Sequence, residues 1–380
     1  MKANIKRIDL FRALGVIVLV ATSFAAGWVA SARWGDPDIS LMKQAHQLIV
    51  DESLSNDLTS RELSYAAIRG MLSNIGDEYA ELIEPDASEG FMDTFTGKTG
   101  VIGLYGENQG GRVVIVTVYP DGPAEKAGLK AGDVILSINS KKLGKDADSS
   151  ETGLLIRGAP GSSVRIEIER DGVVREYEMI RQEREFVTTR MLSDDIGYIS
   201  LTAFNAVASQ EMKQELEALL EQKPMAIIWD LRNNEGGDMQ AAQEIISYFI
   251  EDGLLFSAEL TRGRKVEFFT KGDVLVVDLP VVVLIDESSY SAAETAAAAI
   301  AETGSGMTVG THSYGKGVIQ ATIPIDHGVM LQMTIARWLS SSGEWYHERG
   351  VPPQFEVSDD PGTEVDEVLQ KAMEILLAST

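Results

Sequence analysis

The chain contains no cysteine. That absence removes thiol nucleophiles, disulfides and cysteine-ligated metals. Histidine is scarce: His46, His312, His327 and His347 are scattered, with no H-x-x-x-H pair. Spacing therefore offers no metal site, and no cofactor is expected. Basic residues are outnumbered, 33 Lys and Arg against 58 Asp and Glu, for a formal net charge of −25. No basic run offsets that field, so nucleic acid is not an expected partner and the acidity serves solubility. Internal repeats and low-complexity linkers are also lacking. What remains is an ordinary globular composition, 44% hydrophobic and 24% charged, over 380 residues. That length suffices for two or three domains with real cores.

The N-terminus departs from this average. Residues 1–12 form a basic segment with Lys2, Lys6, Arg7 and Arg12, and residues 13–32 carry no charge. At 1.5 Å per residue that stretch covers about 30 Å, the thickness of a bilayer core. It predicts a single-pass anchor in the cell membrane, with the basic end cytoplasmic and the catalytic region on the extracytoplasmic side. Ala30-Ser31-Ala32 also fits a signal-peptide cleavage site, which would make the protein secreted or periplasmic.

Four further segments follow. Residues 37–95 read as a helical arm, with apolar residues at three- and four-residue spacing and a break at "EPDASEG". Ser60 and Glu62 suggest a helix start without a strict capping box. The arm suits packing or a homodimer contact. Residues 96–182 alternate β-branched and polar residues between glycine turns. Residues 183–357 alternate continuous apolar strands such as "LPVVVLIDE" with amphipathic helices, the pattern of an α/β layered core with a largely parallel sheet. Residues 358–380 hold a final amphipathic helix expected to pack on that core. The predicted fold class is therefore multidomain α/β, with a membrane helix, a helical arm, a β-rich domain and the layered core.

Two short stretches carry the chemistry. In "SSYSAAETAAAAI" (288–300) a buried strand runs through a serine-rich loop into a helix of small residues. A serine at such a junction sits where helix N–H groups lack partners and the dipole favours negative charge. A hydroxyl needs a base to become a nucleophile. His312 is the histidine nearby in sequence. The alternative is Lys316 of "SYGKGVIQ" (313–320), because a desolvated lysine can be neutral near neutral pH. In an extended segment Lys316 and Gln320 would share a face, and the amide could orient the amine. Ser288 and Ser289 read as structural loop residues, and Asp230 with Arg232 as a structural pair.

Two resemblances follow from these residues. "DGPAEKAGLKAGD" (121–133) between two strands resembles a bacterial PDZ domain. A PDZ groove takes a peptide as an added strand. The resemblance implies that Ile102, Gly103 and Leu104 of "TGVIGLYG" form the loop that binds the terminal carboxylate. "SYSAAE", the lysine 25 residues after its second serine, the glutamine four beyond, and "DLRNNEGG" (230–237) resemble the C-terminal processing peptidases, also called tail-specific proteases. These are serine endopeptidases with a Ser–Lys pair. By that resemblance Ser291 is the nucleophile, Lys316 the general base and Gln320 its assistant, with the N–H groups of Gly237 and Ala292 as oxyanion donors. Departures from the family pattern are Asp286, Ser288, Tyr290, Ala293 and Glu235, while Glu302 keeps an acidic position. Expected substrates are polypeptides with free, apolar C-termini. A PDZ adaptor with an inactive core, and a Ser–Lys hydrolase of small amides or esters, are the rival readings.

Overall fold

The computed structural model describes residues 37–54, 59–144, 147, 149–360, 362–363 and 365–379. The anchor expected at 13–32 lies outside them. Among the described residues no helix is long and apolar enough to cross a membrane. The chain divides into two units, residues 1–76 and 77–380.

The first unit contains α1 (Pro37–Glu52) and α2 (Ser60–Leu72). The cap of α2 lies one residue earlier than the sequence suggests, and it is a complete box. Glu62 N–H donates to Thr59 Oγ1 (3.2 Å), while Thr59 N–H donates to the Glu62 carboxylate (2.6 Å). The second unit opens with β1 (Glu81–Ile83) and α3 (Pro85–Thr96). This corrects the expectation of one helical arm over 37–95: the division falls after Gly76, and a strand intervenes. Pro85 at the expected break starts a helix, because its missing N–H is no loss in a first turn.

The β-rich domain follows. Its elements are β2 (Gly100–Val101), β3 (Leu104–Asn108), β4 (Val113–Val118), α4 (Pro123–Ala127), β5 (Val134–Ile138), β6 (Lys141–Lys142), α5 (Ser149–Ile156), β7 (Ser163–Arg170) and β8 (Val173–Ile180). The antiparallel sheet runs β3-β4-β5-β7-β8, which leaves β3 at one margin. Alternation in β7 buries Val164, Ile166 and Ile168 against Ile115 and Ile138. Helix α4 is opened by Pro123 and closed by Gly128 at φ 89°.

After β9 (Gln182–Glu183), which pairs with β2, come β10 (Val187–Met191), β11 (Ile196–Leu201), α6 (Ala206–Glu221), β12 (Ala226–Asp230), α7 (Met239–Ile246), β13 (Leu254–Leu260) and β14 (Lys265–Phe269). The chain continues through β15 (Val281–Ile285), α8 (Ala292–Thr303), β16 (Met307–Gly310), β17 (Val318–Pro324), β18 (Met330–Ser340), β19 (Phe355–Glu356) and α9 (Glu367–Ser379). The central sheet runs β10-β11-β12-β15-β16-β19, parallel except for β10. Strands β12 and β15 are buried throughout because both faces are covered. Ile227 and Trp229 belong to the core shared with α6–α8, and Ile228 packs with Val368 and Ala372 of α9.

A second, antiparallel sheet of β1, β13, β14, β17 and β18 was not legible in the sequence. Strand β18 carries β17 along one side. On its other side it meets β1 at 330–332 and β13 at 336–340. In the gap between those partners, Thr334 N–H donates to the Asp77 carboxylate (2.7 Å).

Asp230 and Arg232 form the expected structural pair at 2.6 Å. The guanidinium also binds both oxygens of Asp366, each at 2.9 Å, and so fastens the start of α9. Asp230 is buried and accepts from Tyr198 Oη (2.7 Å). Arg232→Ala strands that carboxylate, a class of change that costs about 3–5 kcal/mol. Its urea midpoint at neutral pH should fall accordingly, and an unchanged midpoint would remove this clamp from the account.

Candidate active site

The site lies at the carboxyl ends of β12 and β15, the usual location in open α/β sheets. The loops that leave these strands are stitched together. Ser289 is fully buried, and its Oγ donates to Leu231 O (2.7 Å). Asn233 N–H donates to the Asp286 carboxylate (3.0 Å), and Tyr290 N–H to Asn234 O (3.2 Å). Ser289 and Asp286 are thus structural, as the sequence suggests for the former.

Ser291 comes next, immediately before α8. Its backbone adopts φ 59° and ψ −112°, a conformation that costs a non-glycine residue about 1–3 kcal/mol. Such strain persists where the surroundings dictate it. Ser291 N–H donates to Glu294 Oε2 (2.8 Å), and Thr295 N–H donates to Ser291 O (3.0 Å). Gly236 presses on the same point. A Cβ there would stand 2.5 Å from Tyr290 O and 2.9 Å from Ser291 Cβ, so only glycine permits the approach.

Glu294 is fully buried, and its carboxylate accepts four hydrogen bonds. Oε2 takes the N–H of Ser291 and the N–H of Lys316, both at 2.8 Å. Oε1 takes Ser313 Oγ (2.6 Å) and Gly315 N–H (2.7 Å). One oxygen thus holds the backbones of Ser291 and Lys316 together. Burial pushes this carboxyl above its ordinary value, and the four donors offset part of that rise.

The Lys316 amine lies among aromatic rings, 4.8 Å from the centre of Tyr79 and 5.8 Å from that of Tyr290. Burial pushes its pKa down, and the negative charge of Glu294 opposes that shift without cancelling it. Tyr290, one of the departures from the family pattern, is therefore part of the wall around the amine. Burial and the nearby Glu235 hold its phenol up at about 12, so it remains protonated.

Gly237 has φ 138° and forms a parallel bridge with Phe204. Phe204 N–H donates to Gly236 O (2.7 Å) and Asp238 N–H to Phe204 O (2.8 Å). That pattern turns Gly237's own N–H away from Phe204. Ala292 is the first residue of α8, where N–H groups have no intrahelical acceptor. Glu235, just before the two glycines, pairs with Arg184 (3.3 Å) and Arg157 (3.7 Å).

Gln320 lies within β17 opposite Thr334 of β18, where a bulge in β18 leaves Ile335 unpaired between the partners of Ile319 and Gln320. Its Nε2 donates to Thr334 Oγ1 (3.4 Å). His312 is exposed, with its ring against Arg349 O (3.3 Å), so the Ser–His alternative gains no support. Glu302 binds Ser341 and Tyr346 at the far end of α8. Among the described residues no group of three His, Asp or Glu could hold a metal ion.

In the β-rich domain, Ile102 is buried and its carbonyl accepts from Ala124 N–H (2.8 Å). Gly103 has φ 75°, and Leu104 opens the marginal strand β3. Helix α5 packs beside that strand.

Glu294 is legible in the sequence only through Ser291-x-x-Glu294, which has the spacing of a capping box. Asp77 and Tyr79 lie far from the motif in sequence, and Thr334, 14 residues beyond Gln320, carries no motif of its own.

Comparison with known proteins identifies the domains and the family. Residues 195–357 match the model of peptidase family S41, and residues 100–180 match the PDZ domain. Over 363 residues the chain is 30% identical to the carboxy-terminal processing protease CtpA of Bacillus subtilis, spanning 93% of this chain and 77% of that protein. It is 30% identical to CtpB of the same organism over 332 residues, spanning 85% and 68%. Among solved structures it resembles the photosystem II D1 C-terminal processing protease, with a TM-score of 0.59 and 25% identity over 92% of this chain and 95% of that one. The chain belongs to the carboxy-terminal processing proteases of peptidase family S41, serine-type endopeptidases that carry a PDZ domain.

Proposed function

We propose that Ser291 and Lys316 are the nucleophile and general base of this peptidase. The observation that carries the reading is the shared Glu294 oxygen, which binds the N–H groups of both residues. Neutral Lys316 takes the Ser291 proton as Oγ attacks the peptide carbonyl. The carbonyl oxygen gains charge and is met by the N–H groups of Gly237 and Ala292. The lysine ammonium then protonates the leaving amine, and an acyl-enzyme forms. Water attacks the ester and gives a proton to Lys316, which passes it to Ser291 Oγ as the acyl–oxygen bond breaks, so the new C-terminus leaves and the serine hydroxyl and neutral amine are restored. Gln320 assists by orienting the amine.

Full-length protein with an unfolded substrate ending in apolar residues should cleave it, and Ser291→Ala and Lys316→Ala should both be inactive. Cleavage by Ser291→Ala at the wild-type rate would move the nucleophile elsewhere. The acid limb of kcat/KM should follow Lys316 losing its proton. Because burial lowers that pKa, activity should rise with pH through a midpoint well below the ordinary lysine value of about 10.4.

Glu294→Gln keeps the shape but turns an NH₂ toward two of the four donors. Loss of hydrogen bonds to a buried charge costs about 1.5–3 kcal/mol each, and a displaced base costs about 10²-fold in rate. Both kcat and thermal midpoint should drop, and wild-type values for both would contradict the bridge.

The PDZ domain supplies the selectivity in this reading. Ile102, Gly103 and Leu104 would bind the free carboxylate of the substrate while its tail pairs with β3. The marginal position of that strand supports strand addition. Amidating the substrate's C-terminus should then lower kcat/KM, and equal cleavage of acid and amide would remove the PDZ domain from recognition. The basic segment before the apolar stretch 13–32 supports a membrane-anchored protease with an extracytoplasmic site.

A further inference from the structure

The segment just before β1 touches the site at two points. Tyr79 lays its ring 4.8 Å from Lys316 Nζ. Two residues earlier, Asp77 accepts from Thr334 N–H (2.7 Å), Thr334 Oγ1 (2.9 Å) and Tyr79 N–H (3.1 Å). Thr334 Oγ1 in turn receives Gln320 Nε2 at 3.4 Å. Each link has a fixed polarity. A carboxylate is acceptor-only, so the threonine proton must point to Asp77. The threonine oxygen is then left as an acceptor, and Gln320 must present its NH₂ to it. The amide's carbonyl is thereby turned to the opposite side. At a glutamine, where the two ends look alike in shape, such a chain decides which end is which.

We infer that Asp77 and Thr334 are positioning residues that set the amide of Gln320 so that its carbonyl oxygen faces the Lys316 amine. This rests on the Ser–Lys reading above. A carbonyl accepts an N–H from the amine and leaves the nitrogen lone pair directed at Ser291. A flipped amide would donate to that lone pair and occupy it. The gap between β1 and β13 along β18 is what admits Asp77, so the second sheet has a part in the chemistry.

The test uses the full chain with the substrate described above. Thr334→Val removes the hydroxyl at nearly constant shape, and Thr334→Ser retains it. Thr334 borders an open groove of about 510 Å³ with Val318 and Ala336, so valine there need not disturb a closed core. Thermal midpoints of both variants check folding. The charged and titratable groups that face Lys316 are Glu294 from α8, Tyr290 before it and Tyr79 before β1, while His347 meets the flanking Gly317 N–H. None is altered by either variant.

A carbonyl acceptor favours the ammonium, and an amide donor favours the neutral amine. Thr334→Val should therefore lower plateau kcat about tenfold with little change in KM, and should also shift the acid limb to lower pH. Thr334→Ser should restore both. A merely structural role would lower the plateau without moving the limb, and that result overturns the inference. So does wild-type behaviour of Thr334→Val while Gln320→Ala is impaired, which leaves the Ser–Lys reading standing. If Lys316→Ala retains activity, the Ser–Lys reading itself fails and the chain has no base to serve.

Discussion

One buried carboxylate organises the site. Glu294 sits where a strained serine, the start of α8 and the glycine-flanked lysine turn converge. Three of its four donors are backbone N–H groups from two separate segments. Burying a carboxylate is expensive, and these donors offset the cost only in this arrangement. The strain at Ser291 and the placement of Lys316 are therefore one constraint. Moving either segment would leave a buried charge short of partners. Alanines in α8 belong to the same constraint: Ala292, Ala293, Ala296 and Ala297 are fully buried, and their small size lets the helix approach the sheet closely enough to present Glu294.

The glycine loop after β12 is set from two directions. On one side Gly236 and Gly237 press against Ser291 and Phe204, where any Cβ would overlap backbone atoms. On the other, Glu235 is bound by Arg157, which follows α5 of the PDZ domain, and by Arg184, which follows β9. These partly exposed ion pairs contribute little stability. Their effect is positional: they link the PDZ domain to the residue before the two glycines.

Legibility in the sequence followed locality. The strand–helix alternation of the core, helix α4 with its terminal proline and glycine, and the serine and lysine motifs are all written in short windows. Glu294 was readable by its capping spacing, but its bond to Lys316 crosses a turn 22 residues away. The second sheet was hidden because β18 takes three partners from separate regions of the chain, and no window contains more than two of them. Asp77 was hidden for the same reason, since its partner Thr334 lies 257 residues on. The helical reading of 37–95 failed where short β1 offered no alternation to detect and where Pro85 signals a break as readily as a first turn.

The account requires that Lys316 lose its proton far more readily than a lysine in water. The direct measurement is a ¹³Cε or ¹⁵Nζ NMR titration of lysine-labelled protein, with the Lys316 signal assigned by its loss in Lys316→Arg. The account predicts a midpoint well below about 10.4, rising toward that value when the surrounding fold is denatured. A folded-state midpoint at the ordinary lysine value would contradict it. The buried amine would then be a cation held among aromatic rings, and the base would have to be sought elsewhere.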